Sequence, residues 1–189
     1  MTRTYFAVPG NICHEYEIDD NGRLIGDPLR GMKPTKRAEE ARKASWQRCI
    51  DNRPPMLQLR ADLRPPPGDT TGKTPLLHFG LPVTMEQYLS CVRKNDLIPD
   101  GFSEQQVAGL AMPVVIGHLH KKTKVLVRPQ DPLSWEYDSM IALYSNYTQE
   151  KVALSEEAER DTIRLIREEL GIDEDTQVMW WWDIKHGPG

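Results

Sequence analysis

The chain has 189 residues, 39% of them hydrophobic and 28% charged, with a formal net charge of −4. That length suits one domain, and that mixture can fill a core, which excludes global disorder. The weakly negative charge excludes a general polyanion binder, so nucleic acid is not an expected partner.

No window approaches the ~18 apolar residues of a membrane span. The stretch from Met1 to Asp19 lacks the unbroken apolar run of a secretory signal. Met1-Thr2 does not match a myristoylation signal, and Gly187-Pro188-Gly189 is no prenylation box. Cys13, Cys49 and Cys91 are few and far apart. They fit neither a disulfide framework nor a cysteine-rich zinc site, and they favour a reducing compartment. The expectation is a cytoplasmic protein without membrane association. Without a secretory signal, the acceptor triplet Asn146-Tyr147-Thr148 reads as chance.

In chain order, residues 1–30 read as a β-hairpin region. Thr4 to Val8 is a short strand. Cys13 to Ile18 and Arg23 to Ile25 flank Asp19-Asp20-Asn21-Gly22, whose Asn-Gly pair supplies the positive-φ positions of a tight turn. Lys36 to Asn52 is a helix. Its stripe is Ala38, Ala41, Ser45, Trp46, Cys49 and Ile50, Glu39 precedes Lys43 by four, and Pro54-Pro55 ends it. Residues 54–82 are proline-rich. Within them Met56 to Leu63 alternates like a strand, Pro65-Pro66-Pro67-Gly68 is a loop, and Thr74 to Phe79 is a strand that Pro75 pushes to an edge or a late start.

Thr84-Met85-Glu86-Gln87 and Ser103-Glu104-Gln105-Gln106 are capping boxes, with staple pairs Val83/Tyr88 and Phe102/Val107. The first helix should run to about Lys94, and Pro113 should disturb the second. Val114-Val115-Ile116 and Lys124 to Arg128 favour a hairpin turning at Lys121-Lys122-Thr123, and Met140 to Tyr144 a further strand. Residues 155–184 form a helix–strand unit. Ser155 caps a helix to Leu170, Gly171 stops it with Ile172 folding back on Ile166, and Gln177 to Ile184 is the last strand. The expected fold is a single α+β domain over 1–189, a mixed but mostly antiparallel sheet packed with about four helices.

The candidate chemistry is thin. Gly68 to Thr74 looks like a phosphate-binding loop but has one residue too few between its glycines, and Pro75 follows where a helix should open. No nucleotide or other cofactor is expected. His118 and His120 would share a face on a strand but point ~200° apart on a helix. Spacing selects no third ligand from His14, His78, His186 or the carboxylates, and Lys121, Lys122 and Lys124 would oppose a cation. No metal is expected. No GxSxG or HExxH occurs, and Cys13-His14 would point to opposite faces of a strand.

Trp180-Trp181-Trp182 is the most unusual feature. On a strand Trp180 and Trp182 share one face and Trp181 takes the other. The helix-facing side is expected to be that of Trp180 and Trp182, with Trp181 the milder truncation and the one nearer a ligand. Large aromatic faces suit sugars, planar rings, cations and protein hot spots. Base stacking needs a basic groove, and Asp173, Glu174, Asp175 and Asp183 surround this strand.

The leading expectation is a non-catalytic binding or interaction domain that recognises a protein or a small organic ligand through Trp180, Trp181 and Trp182. The alternative is a small intracellular enzyme using His118, His120 and Asp183 in acid–base chemistry on a small organic substrate. A third reading is a weak RNA- or phosphate-binding module. It would use the stretches Arg30, Lys33, Lys36, Arg37 and Lys121, Lys122, Lys124.

Overall fold

A computed structural model describes residues 4–7, 13–16, 19–21, 23, 25–27, 31–32, 34–69, 73–152 and 154–186. Backbone contacts divide the chain into two compact units, residues 1–52 and residues 53–187.

In the first unit, strand β1 (Thr4–Ala7) pairs antiparallel with β2 (Cys13–Tyr16), and β3 (Gly26–Asp27) with β4 (Gly31–Met32). The expected pairing of Cys13 to Ile18 across the Asn21-Gly22 turn is thus replaced, over the described residues, by pairing with β1. Gly22 and Leu24 lie outside those residues. Asp19 still organises a turn: Oδ1 accepts the N–H groups of Asn21 and Arg23, and its own N–H donates to the Arg23 carbonyl. Helix α1 (Lys36–Asp51) starts on the Thr35 hydroxyl, which accepts from Ala38 N–H at 3.3 Å. Along its stripe Trp46, Cys49 and Ile50 are half-buried and Ala41 is exposed.

The second unit is built on a four-stranded antiparallel sheet, order β6-β7-β5-β8. Met56 to Leu63 does not form the expected strand. Met56 alone bridges Trp180, and Ala61–Leu63 is a 3-10 turn. Prolines flank the segment and remove donors a ladder would need. The Asn146 side chain then takes up the backbone beside them. Its Nδ2 donates to the Leu63 and Pro75 carbonyls at 2.8 Å each, and its Oδ1 accepts Leu77 N–H at 3.0 Å. The asparagine of the acceptor triplet is therefore a buried clamp.

Strand β5 (Leu77–Val83) starts late, as Pro75 requires, but it is central. Pro82 is tolerated there because the pairing of β5 with β8 ends at Gly80. Val83 accepts from Asp138 N–H on the β7 side, so the residue before it faces the side that β8 has left. Helix α2 (Met85–Lys94) follows, with the complete Thr84/Gln87 capping box. Asp138 Oδ2 also accepts Met85 N–H at 2.6 Å, and the buried Tyr88 hydroxyl meets Ser139 Oγ at 2.7 Å. These bonds tie α2 to the chain entering β7.

Helix α3 (Glu104–Thr123) carries the second capping box and corrects the hairpin expected over 114–128. It runs through Pro113, because that residue is exposed and the carbonyl it strands belongs to exposed Gly109, within reach of water. Val114 to Ile116 is helical despite its β-branched residues. Ala111, Val115 and Leu119 recur every four positions and are fully buried. Burial of that face outweighs the small propensity cost. Lys124 ends the helix in the left-handed conformation, φ 59°. The strand expected from Lys124 begins only at Arg128, as β6 (Arg128–Gln130).

Next come β7 (Ser139–Ser145), the short α4 (Gln149–Val152), α5 (Glu156–Leu170) and β8 (Met179–Trp182). Helix α5 starts at Ser155 and stops at Gly171, φ 64°, with Ile172 N–H bonded back to the Arg167 carbonyl. The fold is α+β. Tyr88, Cys91 and Val92 of α2, Ala111, Val115 and Leu119 of α3, and Ile166 and Leu170 of α5 join Leu77, Leu81, Ile141 and Trp180 of the sheet in one buried cluster. None of the described helices is long and apolar enough to cross a membrane.

Candidate functional site

The alternation expected of the tryptophans is present, but their exposures differ from expectation. Trp180 belongs to the helix-side core, with Trp182 packed against it, while Trp181 joins Met140 and Ala142 in a second cluster. Trp180 and Trp181 are 4% and 5% exposed and Trp182 is half-buried. Trp180 stands 5.3 Å from Phe79 and 5.7 Å from Tyr144, ring centre to ring centre, and Arg53 lies 5.7 Å over the Trp182 ring. Tyr137 meets Trp181 edge-on at 5.6 Å.

The three acid–base candidates do not meet. On α3, His118 and His120 point apart as a helix dictates. His118 Nε2 lies 2.6 Å from Glu169 Oε2 on α5, with Lys122 Nζ at 3.3 Å from the other oxygen. Burial pushes the Glu169 carboxyl up, but the hydrogen bonds from His118 and Lys122 outweigh it and hold it below the ordinary value. His120 Nε2 donates to the Val127 carbonyl at 2.5 Å, tying the chain after α3 back to the helix. Among the described residues no group of three His, Cys, Asp or Glu side chains gathers into a metal-binding cluster.

Asp183 instead meets a histidine that sequence reasoning named only as a possible metal ligand. His78 Nε2 lies 3.0 Å from Asp183 Oδ2, and both residues are buried. Register explains the meeting. His78 pairs across β5 and β8 with Trp181, and Asp183 follows Trp181 by two, on the same face. A carboxylate only accepts, so Nε2 carries the proton and Nδ1 holds a lone pair. Asp183 Oδ1 accepts Lys185 N–H at 2.9 Å, which fixes the carboxylate further. Burial pushes the His78 imidazole below its ordinary value; Asp183 opposes this and Lys185 adds to it. The only signal in the sequence was a contact spanning 105 positions, legible only once the β5–β8 register is known.

His78 also lines a cavity of about 380 Å³ at the sheet edge. Lys124, Val125 and Leu126 after α3, Arg128 and Gln130 of β6, and the 142–145 stretch of β7 form most of its wall. Thr148, Val152 and Leu154 close it. A β-bulge shapes the wall. Phe79 pairs with Tyr144 but Gly80 with Ala142, leaving Leu143 as the extra residue. A Cβ at Gly80 would stand 2.0 Å from the Ile141 carbonyl oxygen, so the bulge requires glycine there. Apolar surface makes up most of the lining. Leu126 and Val152 are 61% and 51% exposed, and Lys124 and Arg128 form no ion pair within the described residues.

A wider hollow of about 540 Å³ lies between α2 and α3, lined by Leu89, Phe102 and Val107. Its acidic side chains, Asp96, Asp100 and Glu104, are all exposed, and it holds no buried polar group that could orient a ligand. No protein-family model matches the chain, and neither curated proteins nor solved structures give a match.

Proposed function

We propose that the chain is a binding domain for a small organic ligand that carries an acidic group, held in the cavity beside β6 and β7. One observation carries this reading. A cavity of about 380 Å³ has a wall of mainly apolar surface and two cations, Lys124 and Arg128, without anionic partners among the described residues. Its volume falls in the ~300–1,000 Å³ range of small-molecule sites. Exposing Leu126 and Val152 at its wall forgoes ~25 cal/mol for each Å² that an occupant would cover. The guanidinium of Arg128 supplies a planar fork suited to a carboxylate. The ligand is placed here and not on the tryptophans because the rings of Trp180 and Trp181 are covered.

Thermal melts with a panel of small aliphatic and aromatic carboxylates, each beside its neutral amide, test the reading. A carboxylate at a hundred times its Kd adds ~2.7 kcal/mol of stability. The expected result is a rise in melting temperature with acids and much less with amides, lost in Arg128→Ala. Methyl NMR shifts should centre on Leu126, Leu143 and Val152. Equal responses to acids and amides, or shifts centred elsewhere, would reject the site.

A further inference from the structure

We infer that this cavity is also a proton-transfer centre, in which His78 is the base that takes a proton from the bound organic acid and Asp183 is its positioning residue. The inference rests on the ligand occupying the cavity proposed above. It deepens that reading by naming a reaction.

Three observations converge. The Asp183 carboxylate holds the Nε2 proton of His78 at 3.0 Å, which sets the tautomer and leaves the Nδ1 lone pair as the free basic atom. Within the described residues Nδ1 makes no hydrogen bond, although His78 is only 7% exposed. Nδ1 is not one of the buried side-chain atoms left without a partner, so it is not sealed in the core. His78 forms part of the cavity wall, so a molecule lodged there can supply the missing partner.

The substrate class follows from the spacing of base and cations. Arg128 pairs with Ala142 on β7, and Ala142 pairs with Gly80, two residues from His78. The Cα atoms of the anion-binding residue and the base therefore lie two strand spacings across and two residues along the sheet from each other, ~12 Å. Arginine reaches back over part of that distance. A small organic acid can set its carboxylate at Arg128 and present a C–H or O–H acid to His78 Nδ1. The proton passes to Nδ1, and the electron pair stays on the substrate as an enolate or alkoxide. The imidazolium, steadied by Asp183, then returns the proton to another atom of the substrate or to water.

A neutral probe tests the base independently of the ligand class. Nitrobenzisoxazole has an acidic ring C–H. When a base removes it, the C–H electron pair forms a nitrile, the N–O bond breaks, and a coloured cyanonitrophenolate leaves. The expected result is turnover by the full chain that falls roughly a hundred-fold in His78→Ala. In Asp183→Asn, kcat should fall by at least about ten-fold with little change in KM. Should either variant misfold, the wild-type pH profile still decides. Its rate should rise through one ionisation below the ordinary imidazole value, as a buried histidine facing Asp183 and Lys185 requires. Turnover that persists in His78→Ala, or a profile that rises only in the lysine range, overturns the inference. Carboxylate affinity is read separately by the melts. Affinity without His78-dependent turnover removes the base and keeps the binding site. His78-dependent turnover without carboxylate affinity keeps the base and removes the ligand class.

Discussion

The His78 imidazole shows how much one residue's surroundings decide. Burial lowers its proton affinity more than the Asp183 contact raises it, and His186 is lowered in the same direction by burial. The unfolded chain therefore binds these protons more readily than the folded one. Their contribution to stability is complete above the unfolded value of about 6.5 and is lost as pH falls towards the lower folded values. Glu169 acts in a separate window. Its folded value is depressed, so its contribution holds above the ordinary carboxyl range and is lost as pH falls through the folded value. Melting temperature should thus decline in two stages on acidification. His78→Gln should flatten the first stage and Glu169→Gln the second. A single decline confined to the carboxylate range would show that the histidines titrate normally. Among the tryptophans, exposure reorders the sequence expectation. Truncating Trp180 or Trp181 to alanine should each cost ~3–5 kcal/mol, and Trp182, the least covered, should cost least. Chemical denaturation of the three variants gives the ranking. It would contradict the structure if Trp181→Ala proved the mildest.

At the scale of single elements, what the sequence made legible was local. Both capping boxes, the Ser155 start and the Gly171 stop of α5 are contacts within a few residues of one another, and each is present. Non-local competition decided the rest. Val114 to Ile116 is strand-like by composition, but the register of Ala111, Val115 and Leu119 lets one helical face enter the core. Met56 to Leu63 alternates like a strand, yet Asn146 captures the carbonyls at Leu63 and Pro75 from 71 or more positions away. The His78–Asp183 pair was hidden for the same reason, since no local pattern joins β5 to β8. Helix α3 offers a direct check. Ser103→Ala should cost ~1 kcal/mol through loss of the cap. Pro113→Ala should stabilise, by up to ~3 kcal/mol, because it restores a helical hydrogen bond at an exposed position. A destabilised Pro113→Ala protein would mean that the helix needs its interruption there.

At the scale of the whole molecule, the hydrophobic core among the described residues lies in the second compact unit. Both hydrophobic clusters consist of residues between Met56 and Trp182, and α1 contains no fully buried residue. The sheet order β6-β7-β5-β8 and helices α2, α3 and α5 also lie within residues 53–187. So do all the residues assigned to the cavity and the His78–Asp183 pair. Hydrophobic burial is the dominant favourable term in folding, so this unit holds what a cooperative transition needs. A fragment beginning at Arg53 should therefore fold alone, with a single unfolding transition and the amide dispersion of an α+β domain. The matching fragment of residues 1–52 is shorter than the ~60 residues at which a single domain is already marginal. It should show little cooperative melting. Circular dichroism and proton NMR of both fragments separate the outcomes. If the longer fragment binds a hydrophobic dye and melts without cooperativity, then its sheet needs the first 52 residues.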